Sequence, residues 1–162
     1  MDTLSHALWG RGLFGFRGHS WLALWFGAMP DLLSFGPFFL WRLLHGELFH
    51  GRPPLEAIPD WTFFAYNLMH SLLVAGLAVG LVACIRRDIA WAMLAWVFHI
   101  LLDIPTHSAS YFATRMFWPV SDFYIDGIPW TRPEIWYSNL AGLLLLFLWR
   151  AYTCGLWKRR KD

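Results

Sequence analysis

Apolar residues fall into runs separated by short polar breaks, and about 20 such residues cross a bilayer as a helix. Three runs stand out. "WTFFAYNLMHSLLVAGLAVGLVACI", residues 61–85, stops at Arg86 and Arg87. "IAWAMLAWVFHILLDI", residues 89–104, stops at Pro105. The residue before a proline avoids helical geometry, so a helix end or kink is expected near Ile104. "IWYSNLAGLLLLFLWRAYTCGLW", residues 135–157, is closed by Lys158, Arg159, Arg160 and Lys161. The first 60 residues read differently. "TLSHALWGRGLFGF" and "SWLALWFGAMP" are each too short to cross, and Arg17-Gly18-His19 separates them as a turn would. Residues 1–31 therefore predict a helical hairpin that breaks at Pro30-Asp31. "LLSFGPFFLWRLLHGELF" continues as a helix, and the proline-rich "HGRPPLEAIPD" forms a loop ending near residue 60. Residues 105–133 form a second long loop. The expected fold is all-α: one integral-membrane domain over 1–162, a polytopic transmembrane helix bundle with an N-terminal hairpin and three spanning helices.

Composition strengthens this reading. Hydrophobic residues make up 57% of the 162 and charged residues 15%, against about 25% charged in ordinary soluble domains. The bilayer is thus the expected partner. The net charge of +2 argues for no nucleic acid, because the basic residues fall mainly at predicted membrane edges. Cys84 and Cys154 lie apart in apolar runs and read as small hydrophobes, neither a disulfide nor a metal pair. The start "MDTLSHALWG" lacks the basic region and unbroken apolar core of a cleavable signal peptide.

Charge also predicts orientation, since cytoplasmic loops are enriched in Lys and Arg. Arg11, Arg17, Arg86, Arg87, Arg150 and the C-terminal basic cluster can share one side. The other side receives Glu47, Glu56, Asp60, Asp122, Asp126 and Glu134, with Arg42, Arg52, Arg115 and Arg132. Both long loops are then extracytoplasmic.

Against this background a few polar residues lie too deep to be solvated. Ionisable side chains inside a bilayer are costly and usually functional. At 1.5 Å per helical residue, His99 lies about 18 Å from the edge marked by Arg87, with Asp103 one turn beyond. His70 lies about 14 Å below the opposite edge at Trp61. From the turn at Arg17, His6 lies about 17 Å up one arm and Asp31 about 21 Å up the other. In a core about 30 Å thick these depths nearly coincide. Neutral imidazoles and carboxylates at one level are the ligand set of zinc and similar divalent ions. His99 and Asp103, four apart, share a helix face, and His107 would extend it past Pro105. A cation would also neutralise the buried carboxylates. Each residue has a plainer reading. His99 and Asp103 could pair only with each other, and His70 could bond Asn67 or Ser71. Asp31 could be a helix N-cap, and His6 could pack near a helix start capped by Thr3. His19, His45 and His50 read as surface residues, and Asp122 and Asp126 as solvated loop acids.

"TLSHALWG", "GAMPD", "MHSLL" and "HILLDIPTHS", with the later "FWPVSDF", carry a family resemblance. The chain resembles the predicted membrane-bound metal-dependent hydrolases of bacteria and archaea, the LexA-regulated, YdjM-like inner-membrane proteins and their relatives. Their pattern is an early His, a Gly-rich "PD" break, a "HS" pair opening a span, and a His and an Asp four apart. These positions fall here on His6, Asp31, His70, His99 and Asp103, and the likeness runs to about Phe123. Relatives commonly add an "HRG" element where this chain reads "FAYNLMHS". The resemblance implies an inner-membrane location and a metal-dependent hydrolase, with no named substrate.

The sequence thus points first to hydrolysis of an ester, phosphoester or amide through a divalent ion, with zinc expected. His6, Asp31, His70, His99, Asp103 and His107 are the candidate ligands, and Asp31 or Asp103 the candidate general base. The depth of the site suggests a lipid-like or lipid-linked substrate. An ion or proton carrier or channel built on the same His/Asp layer is the alternative, and a homo-oligomer could complete it. A lipid phosphatase with a phospho-histidine intermediate ranks lower, because no basic pair precedes His99. A structural assembly factor also stays open.

Overall fold

The computed structural model describes residues 1–47 and 51–159, with side chains to residue 154. His50, the end of the "LLHGELF" run, Arg160, Lys161 and the side chains of Lys158 and Arg159 lie outside the described residues. Six α-helices form among those described: α1 (Thr3–Phe14), α2 (Ser20–Leu44), α3 (Asp60–Met69), α4 (Leu72–Ala83), α5 (Arg87–Thr106) and α6 (Pro133–Arg159).

The N-terminal hairpin forms, but its second arm does not stop at Pro30-Asp31. α2 runs on through Pro30 and Pro37 for 25 residues. A proline inside a helix removes one N–H and crowds the preceding turn. In an apolar setting that loss is tolerated when side chains and neighbouring helices serve the freed groups. Just beyond Pro30, Ser34 Oγ donates back to Pro30 O at 2.6 Å and reaches Ala65 O of α3 at 3.3 Å, tying this stretch to its neighbour. Asp31 is therefore mid-helix, which excludes the N-cap reading. At the start of α1 the cap is Asp2, which accepts from Ser5 N at 2.9 Å, and not Thr3.

The run 61–85 is likewise not one straight helix. It breaks at His70 and Ser71, and α3 and α4 are bent by 51°. Ser71 caps α4, and Ser71 Oγ donates to Trp118 O at 2.6 Å. Trp96 Nε1 donates to Met69 O at 2.6 Å, so α5 holds the broken end from the other side. α5 itself continues through Pro105 to Thr106.

α2 and α5 are the helices long and apolar enough to cross a membrane, and the bent α3–α4 pair makes a third candidate. The expected span at 61–85 is bent, whereas α5 covers 89–104 as one helix and α2 joins the candidates. α6 runs as one helix over 135–157, but its side chains beyond residue 154 lie outside the described residues. α2 and α5 pack together at the centre, flanked by α1, α3 and α4, and α6 touches α1. Asn139 ties α6 on, accepting from Trp9 Nε1 and donating to Ser5 Oγ, both at 2.8 Å.

Close packing of α1 on α2 depends on small residues, which let helix backbones approach in the absence of a hydrophobic drive between helices. A Cβ added at Gly10 would sit 2.5 Å from Ala23 O and 2.9 Å from Ala95 Cβ. One added at Gly27 would sit 3.0 Å from His6 C and 3.1 Å from Ala7 Cα. Only glycine fits either place.

The two ends of the bundle differ. At one, Arg17 lies over Trp91 at 4.0 Å, Arg150 over Phe16 at 4.3 Å, and Asp88 pairs with both Arg86 and His19. At the other, residues 126–130 fold back on the end of α5. Gly127 N, Ile128 N and Trp130 N donate to His107 O, Pro105 O and Thr106 O at 2.8–2.9 Å. Asp126 accepts from Ala109 N at 2.7 Å and Asp122 pairs with Arg115, so both acids serve the loop.

Candidate metal centre

Four segments deliver polar side chains to one buried point. α1 brings Thr3 and His6, α2 brings Asp31, the α3–α4 break brings His70, and α5 brings His99 and Asp103. His6, His70, His99 and Asp103 are each exposed by 1% or less and Asp31 by 8%. The depth argument from sequence thus brings the right residues to one level, and the packing turns them inward.

Four atoms converge: His70 Nε2, His99 Nε2, Asp103 Oδ2 and Asp31 Oδ1. All such donor atoms lie within 4.8 Å of one another, so this buried cluster could hold a metal ion. The two Nε2 atoms are 3.1 Å apart. Asp103 Oδ2 is 3.1 Å from His99 Nε2 and 3.4 Å from His70 Nε2. Asp31 Oδ1 is 3.6 Å from His70 Nε2 and 3.7 Å from His99 Nε2. A tetrahedral ion with contacts of about 2.0–2.1 Å requires ligand–ligand edges of about 3.3 Å. Five edges bracket that value.

The outer atoms explain why the inner ones are free. His70 Nδ1 donates to Tyr66 O at 3.0 Å, and His99 Nδ1 to Gly27 O at 2.7 Å. Backbone carbonyls only accept, so each Nδ1 carries a hydrogen, and in the neutral ring Nε2 presents a lone pair. Two lone pairs facing each other at 3.1 Å repel unless something positive lies between them. Gly27 is in the turn that Pro30 interrupts, which opens its carbonyl to His99. Thr3 Oγ1 donates to Asp31 Oδ2 at 2.9 Å, leaving Oδ1 inward. Asp103 Oδ1 meets the Met1 amino group and His6 Nε2 at 2.9 Å, while His107 Nδ1 lies 3.3 Å from both Oδ1 and the Asp103 backbone O that it bonds. Asp103 Oδ2 has no hydrogen-bond partner although it is fully buried. Such an orphan costs about 1–3 kcal/mol in an otherwise well-paired interior, and an ion would satisfy it. Metal-binding imidazoles and carboxylates are held by this kind of outer hydrogen bond.

Two sequence candidates take other places. His6 lies outside the four-ligand group: its Nε2 serves Asp103 Oδ1, and its ring stacks on His99 with centroids 3.6 Å apart. His107 reaches the same oxygen from the rim, its side chain 14% exposed. Both support Asp103 and neither joins the inner four. His70 bonds neither Asn67 nor Ser71, and His99 and Asp103 are not an isolated pair. His19 and His45 stay at the surface. Two contributors escape the sequence reading. Tyr66 stacks on His70 at 4.0 Å, with its hydroxyl held by Phe112 O and Thr114 Oγ1. Their spacing of four on α3 was the available signal. Thr3 reads as a cap, and only the course of α2 shows that it faces Asp31.

Thr3→Val should keep the fold and leave Asp31 without its outer hydrogen bond. Metal affinity should fall about 10–100-fold in chelator competition, with helical content unchanged.

One cavity of about 660 Å³ reaches this cluster, entering from the loop-covered end and touching Asp31, Thr3 and His107. On the other side, one helical turn from His6, Gly27 and His99, the packing of Gly10 on Ala23 and Ala95 backs the cluster. Comparison of the chain with protein families, characterised proteins and solved structures finds no match. The functional reading therefore rests on these side chains.

Proposed function

We propose that this chain is a membrane-embedded, metal-dependent hydrolase of the family its motifs resemble, built around a zinc ion held by Asp31, His70, His99 and Asp103. The observation that carries the reading is the division of labour within each ligand: the outer atom is hydrogen-bonded and the inner atom points to the shared centre. Two imidazoles and two carboxylates at tetrahedral spacing suit zinc better than magnesium or calcium, which take more oxygens. A bound ion of this kind supplies Lewis acidity and a water acidified toward neutrality.

The protein's own groups divide the remaining work. Asp103, gripped by three donors, is the fixed anchor. Four protein ligands would leave a zinc no position for water, so Asp31, which has one outer hydrogen bond and lies nearest the cavity, would be the group to yield its place to the water and accept its proton. His107, on the cavity rim, is placed to return a proton to a leaving group. Water adds across an ester, phosphoester or amide bond, its oxygen joining the carbon or phosphorus and its hydrogen leaving with the alcohol or amine. The long loops would face away from the cytoplasm. A through-path for ions has less support, since the cavity reaches the cluster from one end while glycine–alanine packing backs the other.

Metal analysis of the full chain, purified in detergent without chelator, should find one divalent ion per chain. Chelation should abolish hydrolysis across an ester and phosphoester panel, and zinc should restore it. A chain that stays metal-free, or hydrolyses equally well after stripping, defeats the proposal.

A further inference from the structure

The cavity above Asp31 and His107 contains a charged region that the metal cluster does not use. Arg42, in the last turn of α2, lines it and is only 7% exposed. Its Nη2 donates to Glu47 O at 2.6 Å and Gly51 O at 3.1 Å. The described arginine ion pairs belong instead to Arg86, Arg115 and Arg132. A guanidinium has five N–H donors, and a buried one without a carboxylate is an unmet positive charge. Arg52 lines the same cavity, its guanidinium carbon 3.3 Å from the Tyr111 ring centroid. Of the two lining acids, Asp2 is occupied by Ser5 N and Ser5 Oγ, and Asp31 belongs to the cluster. Neither acid forms an ion pair with an arginine, so the end of the cavity at Arg42 and Arg52 is the electropositive one.

The walls have the opposite character. Phe35, Phe38 and Phe112 line the cavity, and Phe39 carries the lining out to the exposed face of α2, where it is 56% exposed. In a bilayer that face meets acyl chains. A volume of about 660 Å³ falls in the range of about 300–1,000 Å³ typical of small-molecule pockets. A free phosphate ion would leave most of it empty.

We infer that the cavity binds an amphiphile whose head is a phosphate ester, the phosphate lying between Arg42 and Arg52 and the tail leaving over Phe39. Phosphate fits two guanidinium groups because its three terminal oxygens and higher charge offer more to two planar forks than the two oxygens of a carboxylate. This assigns a substrate class to the hydrolase and rests on that reading for the reaction that follows. Binding itself needs only the arginines and the apolar wall.

The test uses the full chain in detergent, stripped of metal so that no ion contributes to binding. Dioctanoyl phosphatidic acid, dioctanoylglycerol and inorganic phosphate are titrated in parallel. The phosphatidic acid should bind about tenfold or more tighter than either of the others. Arg52→Gln, at an exposed side chain, and Arg42→Lys should each weaken it about tenfold while leaving dioctanoylglycerol unchanged. Equal affinity for dioctanoylglycerol, equal affinity for inorganic phosphate, or indifference to both substitutions overturns the inference. A chain that never holds metal yet shows this preference overturns the hydrolase and not the lipid site. A metal-loaded chain blind to the phosphate overturns the lipid site alone.

Discussion

Asp103→Ala should empty the cluster and destabilise the protein by about 3–5 kcal/mol, the cost of removing one partner from a buried set of charges. The reason is the number of groups that depend on one carboxylate. Oδ1 meets the Met1 amine, His6 and His107, while Oδ2 faces His70 and His99. Asp103→Asn keeps the shape and separates the two roles. It should fold with a smaller loss, about 1–3 kcal/mol, and bind metal more than about 100-fold more weakly, since an uncharged amide replaces an ionised ligand. Thermal melting in detergent and metal content read the two effects independently. Retention of both stability and metal in Asp103→Ala would show that the cluster is not organised around this residue.

The second large effect is expected at a residue with no side chain. Gly27→Val places a branched side chain against the His6 and Ala7 backbone, where even a single Cβ is too close. Overpacking of this kind costs about 1–3 kcal/mol, and the upper end applies because the obstruction is backbone, which cannot rotate away. The displacement acts on the site directly. α1 carries both Thr3 and His6, so lifting it withdraws the outer hydrogen bonds of Asp31 and Asp103 together. Metal affinity should fall with stability. Gly36, in the same helix, meets nothing within 4 Å, and Gly36→Ala should be neutral or stabilise by up to about 1 kcal/mol. Equal melting temperatures for Gly27→Val and Gly36→Ala would rule out the tight α1–α2 seam.

Depth proved legible in the sequence because a helix converts residue count into distance along one axis. That was enough to bring His6, Asp31, His70, His99 and Asp103 to a common level. Rise per residue says nothing of direction around the helix axis, and this is where the reading fell short. His6 and His107 turn toward Asp103 and lie outside the four residues whose donor atoms converge. The all-helical class and the α5 span followed from apolar run length, but the full course of α2 and the bend at His70 did not. Pro30 marks a break in water-soluble helices, yet here α2 continues through it, packed against neighbouring helices. The break at His70 left no proline to announce it, and it depends on Ser71 beside it and on Trp96 and Trp118, which are distant in the chain. Arg42 read as one basic residue of an outer loop region, because its burial depends on Glu47 and Gly51 folding back over it.

The tight seam one turn beyond the cluster also governs traffic. With Gly10 pressed on Ala23 and Ala95, the proposed hydrolase would take in reactant and let out product through the mouth of the described cavity. Chemistry in such a chamber would be confined to one leaflet of the membrane.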